Sequence, residues 1–236
     1  MLFLNWQAII FDFDGVIVES GDIKTQAFGE LYRSYGPEVE AAVMEYHKQN
    51  GGMSRYRKFH YFQEQLLHQP PLTPQEEQDL DQRFSELVIE AVINSESVPG
   101  AEALIHNAYK HIPLFIASGT PEKELQRIVE QRGLASYFID VRGSPQTKQA
   151  LIAEILGAHA LTPEKVLMVG DAMADYLGAK ANNTAFLGRV RPGDRGRRSP
   201  GGGAGRRRGR TRGCVGTRAG RRRARPRRHL HLQRPL

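Results

Sequence analysis

Cysteine is almost missing from this chain. Cys214 stands alone, so no intrachain disulfide can form, and a reducing compartment, the cytoplasm, is expected. Long apolar runs are missing too: nothing approaches the roughly 20 consecutive apolar residues that span a bilayer. The N-terminal MLFLNWQAII lacks the basic lead and long apolar centre of a signal peptide. A soluble protein with no membrane partner is therefore expected. The six histidines before residue 189 show no metal-ligand spacing and are read as surface or core residues.

Acidic charge is scarce in the C-terminal segment alone. Residues 189–236 carry 18 arginines, no lysine and one acid, Asp194, a balance of +17. Residues 1–188 carry 15 basic and 25 acidic side chains, a balance of −10, and the two give the net +7. The Arg/Gly-rich segment has few apolar residues with which to build a core and reads as a disordered tail. A basic arm of that kind binds nucleic acid non-specifically through phosphates, but it has no aromatic residue on which a base could stack. The abrupt change of composition reads as a frameshift near residues 189–195, which resequencing the gene checks.

What is present in the body is an alternation of strands and helices. Apolar runs at 8–11, 113–117, 137–141, 165–169 and 184–188 read as strands. Helical patterns lie between the later ones: one after Pro99-Gly100 with Ala103, Leu104 and Ala108 on a face, one after Pro121, and one with Leu151, Ile152, Ile155 and Leu156 as its stripe. This order predicts an α/β fold, a Rossmann-like parallel sheet with helices on both faces. Residues 19–95 show helical spacing broken at Gly36-Pro37, Gly51-Gly52 and Pro70-Pro71, and no strand. They predict an inserted α-helical cap over the C-terminal edge of a core formed by 1–18 and 96–188, the edge where open α/β sheets bind ligands.

The chemistry gathers at those strand ends. The first strand delivers Asp12 and Asp14 in QAIIFDFDGVIVES, and the fourth delivers Asp171 and Asp175 in VLMVGDAMAD. LFIASGT supplies Ser118 and Gly119, and Lys148 opens a later helix. Carboxylates buried at strand ends are costly unless they are used. A phosphate monoester repels a carboxylate nucleophile, so a hard cation with oxygen ligands, Mg²⁺, is expected, held by Asp12, Asp171 and the Asp14 backbone carbonyl. Ser118 and the Gly119 amide suit phosphate oxygens at a helix N-terminus, although a serine there also caps helices. Lys148 supplies fixed positive charge. Asp175 reaches a bound water or orients Lys148, or is a surface acid. In the cap, Arg55 of NGGMSRYRKFHYF grips a substrate carboxylate or second phosphate, or belongs to a helix that packs Tyr56, Phe59 and Phe62 and leaves its basic residues solvated.

DFDGV, FIASGT, Lys148 and GDAMAD, in that order across residues 7–188, resemble the haloacid dehalogenase-like (HAD) hydrolase superfamily, in particular its phosphoglycolate-phosphatase-like branch with a helical cap. The resemblance implies that Asp12 is the nucleophile and forms an aspartyl-phosphate that water hydrolyses. It implies that Asp14 protonates the leaving alcohol and then deprotonates the water, a role for which its pKa should rise from about 4 toward neutrality. An aspartate at that second position favours a phosphatase over a true dehalogenase. The function expected is a Mg²⁺-dependent phosphatase of a small phosphorylated metabolite. The alternatives are a phosphomutase of the same fold and a nucleic-acid-binding protein acting through its tail.

Overall fold

The computed structural model describes residues 5–191. Its centre is β1, Ala8–Phe11, a four-residue apolar strand buried along its whole length. Because side chains alternate across a strand, Ile9 and Phe11 enter one apolar core while Ala8 and Ile10 enter another on the opposite face. A strand buried on both faces needs cover from both sides, which explains its lack of polar alternation. β2 (Leu114–Pro121), β3 (Asp140–Ser144), β4 (Val166–Gly170) and β5 (Ala185–Gly188) complete a parallel sheet in the order β3-β2-β1-β4-β5. The register pairs Phe11 with Ile116 on one side and Val169 on the other. The residues just after these positions therefore share one edge of the sheet.

Four helices follow β1: α1 (Gly21–Tyr32), α2 (Pro37–Gln49), α3 (Arg55–Tyr61) and α4 (Pro74–Ile93). Thr73 and Glu76 form a reciprocal capping box that fixes the start of α4. An aromatic cluster holds the helices together, with Phe28 of α1 against Phe84 of α4 at 4.4 Å and against Phe59 of α3 at 6.0 Å between ring centres. The insertion leaves and re-enters the sheet layer side by side: Glu19 N donates to Glu96 O at 2.9 Å, and Val98 N donates to Ile17 O at 2.9 Å.

Four further helices, α5 (Ala101–Ala108), α6 (Glu122–Gln131), α7 (Lys148–Ala158) and α8 (Met173–Ala181), cover the sheet. The stripe on α7 is the one read from the sequence. On α5 the buried residues are Ala101, Ile105 and Ala108, while Ala103 points outward. β3 is shifted three residues along from the apolar run at 137–141 and overlaps it only at Asp140 and Val141. Phe138 precedes the strand and docks edge-on against Phe11 at 6.2 Å, and the edge strand continues through the polar Arg142-Gly143-Ser144. An apolar run at a sheet edge thus marks an anchor before the strand.

Candidate active site

The parallel register brings three acids together from two neighbouring strand ends. Asp12 follows β1 and its amide donates to Val169 O at 2.8 Å; Asp171 follows β4; Asp175 lies in the first turn of α8. Asp12, Asp171 and Asp175 can each offer a carboxylate oxygen within 4.8 Å of the others. Lys148 is the first residue of α7, whose start Thr147 fixes by accepting from Ala150 N at 3.3 Å. Its ammonium lies 2.8 Å from Asp12 Oδ1, 2.8 Å from Asp175 Oδ1, and donates to Ala117 O at 2.7 Å. Asp175 Oδ2 accepts from the amides of Asp171 (3.2 Å) and Ala172 (3.0 Å), so one acid holds both the lysine and the loop after β4.

One cation does not balance three carboxylates. Burial, and then Asp175, push the Asp12 carboxyl well above its usual range against the pull of Lys148. Burial and Asp175 also raise Asp171 to about 6, although its side chain keeps an exposed edge on the cavity. Burial would lower Lys148, but Asp12 and Asp175 together hold it well above an ordinary lysine. This excess of hard oxygen donors is what a divalent cation would neutralise. Asp175 is already committed to Lys148 and two amides, which leaves Asp12 and Asp171 as the side chains that fit such an ion.

Asp14 sits in a different environment. Its carboxylate accepts from Ser20 Oγ and Lys24 Nζ, each at 2.6 Å, and from Thr120 Oγ1 at 2.8 Å. Burial acts to raise its pKa, but the Lys24 ammonium and these hydrogen bonds take it well below the usual carboxylate range. The sequence argument expected a raised value. The difference comes from Lys24, a residue of α1 that no motif near Asp14 announces.

Ser118 is fully buried; its Oγ accepts from Thr120 N at 3.2 Å and lies 3.4 Å from Asp14 Oδ2. It is not at a helix N-terminus, because β2 runs on to Pro121 and α6 begins at Glu122. Gly119 meets the cap so closely that a Cβ there would lie 2.7 Å from the carbonyl oxygen of Gly52. Between cap and core lies a cavity of about 90 Å³ whose lining includes Asp12, Asp14, Gly119, Thr120 and Asp171 from the core and Lys24, His47, Arg55 and Lys58 from the insertion.

The sequence model of the haloacid dehalogenase-like hydrolases matches residues 6–183. This chain belongs to that family. It is 27% identical over 180 residues to a phosphoglycolate phosphatase of Vibrio cholerae serotype O1, a match covering 73% of this chain and 79% of that protein. A phosphoglycolate phosphatase of Vibrio vulnificus (strain YJ016) is 35% identical over 80 residues, 32% of this chain. That match spans about a third, 35%, of the relative's length. Among solved structures, the β-phosphoglucomutase of Clostridium difficile superposes with a TM-score of 0.66 over 78% of this chain and 84% of that one, at 18% identity, a likeness of fold alone.

In this HAD-like hydrolase Arg55 is neither solvated nor free. Its guanidinium lies 2.5 Å from Glu124 Oε1 of α6 and 3.2 Å from Asp81 Oδ1 of α4, donates to Ser85 Oγ at 2.8 Å, and sits 4.6 Å from the centre of the Phe84 ring. It joins the insertion to the core, with one edge on the cavity. Sequence reasoning missed His47, which was read as an ordinary surface or core residue, and Lys58, to which it gave no role of its own; both line the site. The tail was read to begin at residue 189, and the described residues run on to Arg191. Arg189 donates its amide to Gly170 O at 2.8 Å and its Nη1 to Gly15 O at 2.6 Å, and it pairs with Glu19. The tail beyond Arg191, with the frameshift and nucleic-acid readings, lies outside the described residues. Among the described residues, no helix is long and apolar enough to cross a membrane.

Proposed function

We propose that this chain is a Mg²⁺-dependent phosphatase of a small phosphorylated metabolite, working through an aspartyl-phosphate on Asp12. The observation that carries the reading is the pairing of Asp12 with Lys148 at the strand ends, with Asp12 and Asp171 together lining a small cavity. In this scheme residues 1–18 and 96–188 are the catalytic core and 19–95 the cap. Asp12 and Asp171, with the Asp14 backbone carbonyl, would hold Mg²⁺, which when bound neutralises phosphate charge and acts as a Lewis acid. Lys148 pulls Asp12 toward its ionised form, against burial and Asp175, and adds positive charge where the phosphoryl group transfers. Gly119, on the cavity wall, would offer its amide to a phosphate oxygen, while Ser118, fully buried and bonded to Asp14 and the Thr120 amide, would position that wall rather than touch the phosphate.

In the first step an Asp12 oxygen bonds to phosphorus, the ester P–O bond breaks, and the leaving oxygen takes a proton from the hydrogen-bonded Lys24–Asp14 pair. In the second, Asp14 takes a proton from the water that attacks the aspartyl-phosphate, which releases inorganic phosphate and frees Asp12. The ionised state of Asp14 suits this second step directly. A cavity of about 90 Å³ is well below the roughly 300–1,000 Å³ of pockets for drug-sized ligands, which supports a small substrate. The phosphatase names of the Vibrio relatives support hydrolysis, while the mutase likeness is one of fold.

The test is phosphate release from a panel of small phosphoesters with and without Mg²⁺. Metal-dependent release that falls by at least about 10³-fold in Asp12→Asn supports the reading. Release of an isomeric phosphate ester without free phosphate would replace it with a mutase.

A further inference from the structure

Arg189 lies just after β5, outside every motif read from the sequence and beyond residue 183, where the family match ends. Yet it touches both loops that carry the candidate metal ligands. Its amide donates to Gly170 O at 2.8 Å, immediately before Asp171, and its Nη1 donates to Gly15 O at 2.6 Å, immediately after Asp14. Nη1 and Nη2 also donate to the two carboxylate oxygens of Glu19, which hold the planar fork where the chain leaves for the insertion. The side chain is 17% exposed, so these bonds face little competition from water.

The bond to Gly15 acts at a flexible point of its loop. Gly15 has φ of +75° and no Cβ to restrict its other dihedral. Its amide donates to Val18 O at 2.8 Å. A trans peptide is planar, so that bond sets the direction of the Asp14 carbonyl on the opposite side of the same peptide. Among the described residues no backbone amide donates to Gly15 O, and the Arg189 guanidinium takes that place. The charge of Arg189 does not explain its position. A cation beside a site for a divalent ion repels the ion, and here Glu19 neutralises it, which leaves the hydrogen bonds as its contribution.

We propose that Arg189 is a positioning residue of this hydrolase: with its amide on one loop and its guanidinium on the other, it holds the Asp14 carbonyl and Asp171 at the separation that Mg²⁺ requires. The inference rests on the metal-dependent phosphatase reading and adds to it a residue outside the strand-end motifs. Mg²⁺ demands near-octahedral geometry at about 2.0–2.1 Å, whereas Ca²⁺ accepts irregular shells at about 2.3–2.6 Å. A brace between the two loops therefore favours Mg²⁺ over Ca²⁺.

The experiment titrates Mg²⁺ and Ca²⁺ separately into the full chain and into Arg189→Met, by calorimetry and without substrate. Mg²⁺ binding is expected to weaken by about 10–100-fold, the scale for losing an outer partner of a metal site, and Ca²⁺ binding by about threefold or less. Arg189→Lys keeps the charge but cannot span Gly15 O and both Glu19 oxygens, so its Mg²⁺ loss should be smaller and of the same sign. That variant carries the test if Arg189→Met does not fold. The ratio of two ions on one preparation does not depend on the folded fraction. Unchanged or tighter Mg²⁺ binding overturns the assignment, tighter binding being the mark of a charge effect alone. An equal loss for both ions also overturns it, as general loosening of the fold. Mg²⁺-dependent phosphate release by the native chain, with no change of Mg²⁺ affinity on substitution, removes Arg189 and leaves the phosphatase standing. A native chain that neither binds Mg²⁺ nor releases phosphate in its presence overturns both.

Discussion

The ammonium of Lys148 lies 2.8 Å from Oδ1 of Asp12, and both side chains are almost completely buried. Lys148 also carries Asp175, so its removal strands two carboxylates at once. Lys148→Met is expected to cost about 3–5 kcal/mol in urea unfolding, the range for breaking a buried pair. Phosphate release should fall by about 10²–10³-fold, the scale for losing one electrostatic stabiliser. Normal stability together with normal release would remove Lys148 from the site.

Gly15 has φ of +75°, and a Cβ there would lie 2.0 Å from Asp171 Oδ2. Both backbone strain and a clash with a candidate metal ligand follow from adding one methyl group. Gly15→Ala should lose about 1–3 kcal/mol through the left-handed backbone. Its requirement for Mg²⁺ should also rise, because Asp171 must move aside. A metal titration of phosphate release reads the second effect independently of the first.

Asp171 gives a pH dependence with a definite sign. Its folded value, about 6, lies above the ordinary 3.8 because of burial and then Asp175. A raised carboxyl favours the folded state below the unfolded pKa, and that advantage is lost as pH rises from about 4 through 6. In EDTA, Asp171→Asn should therefore be more stable than the native chain at pH 7.5 and equal to it below pH 4. Because the side chain is partly open to solvent, screening holds the gain to about 1 kcal/mol or less. Mg²⁺ should stabilise the native chain and have little effect on the variant. Equal urea midpoints across that pH range would sink this account of the acidic cluster.

Arg55 and Glu124 offer a test of how the insertion is held to the core. Both are buried, 2.5 Å apart, and on different layers. Arg55→Met alone leaves Glu124 unpaired and should cost about 3–5 kcal/mol. Glu124→Gln in the same chain should restore part of that loss, with a coupling of about 1–3 kcal/mol in a double-mutant cycle. Additive effects would mean that Arg55 does not act through Glu124.

Most of the fold was readable from chain order, because strands buried on both faces are continuous apolar runs and helices keep a 3.6-residue stripe. Leu151, Ile152, Ile155 and Leu156 are the plain case, all four buried as their spacing requires. The readings that failed are at edges: β3 is half polar, and the outward Ala103 of α5 is too small to reveal its side of the helix. The positions of Asp12, Asp14, Lys148 and Asp171 at strand or helix ends were legible because each stands next to an apolar run or a helix start, whereas Ser118, read at a helix N-terminus, lies inside β2.

The sequence by itself determined which acids end the strands, since an apolar run followed by aspartate is a local pattern. Tertiary structure alone decided what surrounds them. Lys24 reaches Asp14 across 10 residues and Thr120 across 96, and Arg55 reaches Glu124 across 69. The charge state of Asp14 depends on such distant partners. Burial and pairing are properties of the packed chain, and a side chain's electrostatic neighbours are fixed when helices from the insertion close over the sheet.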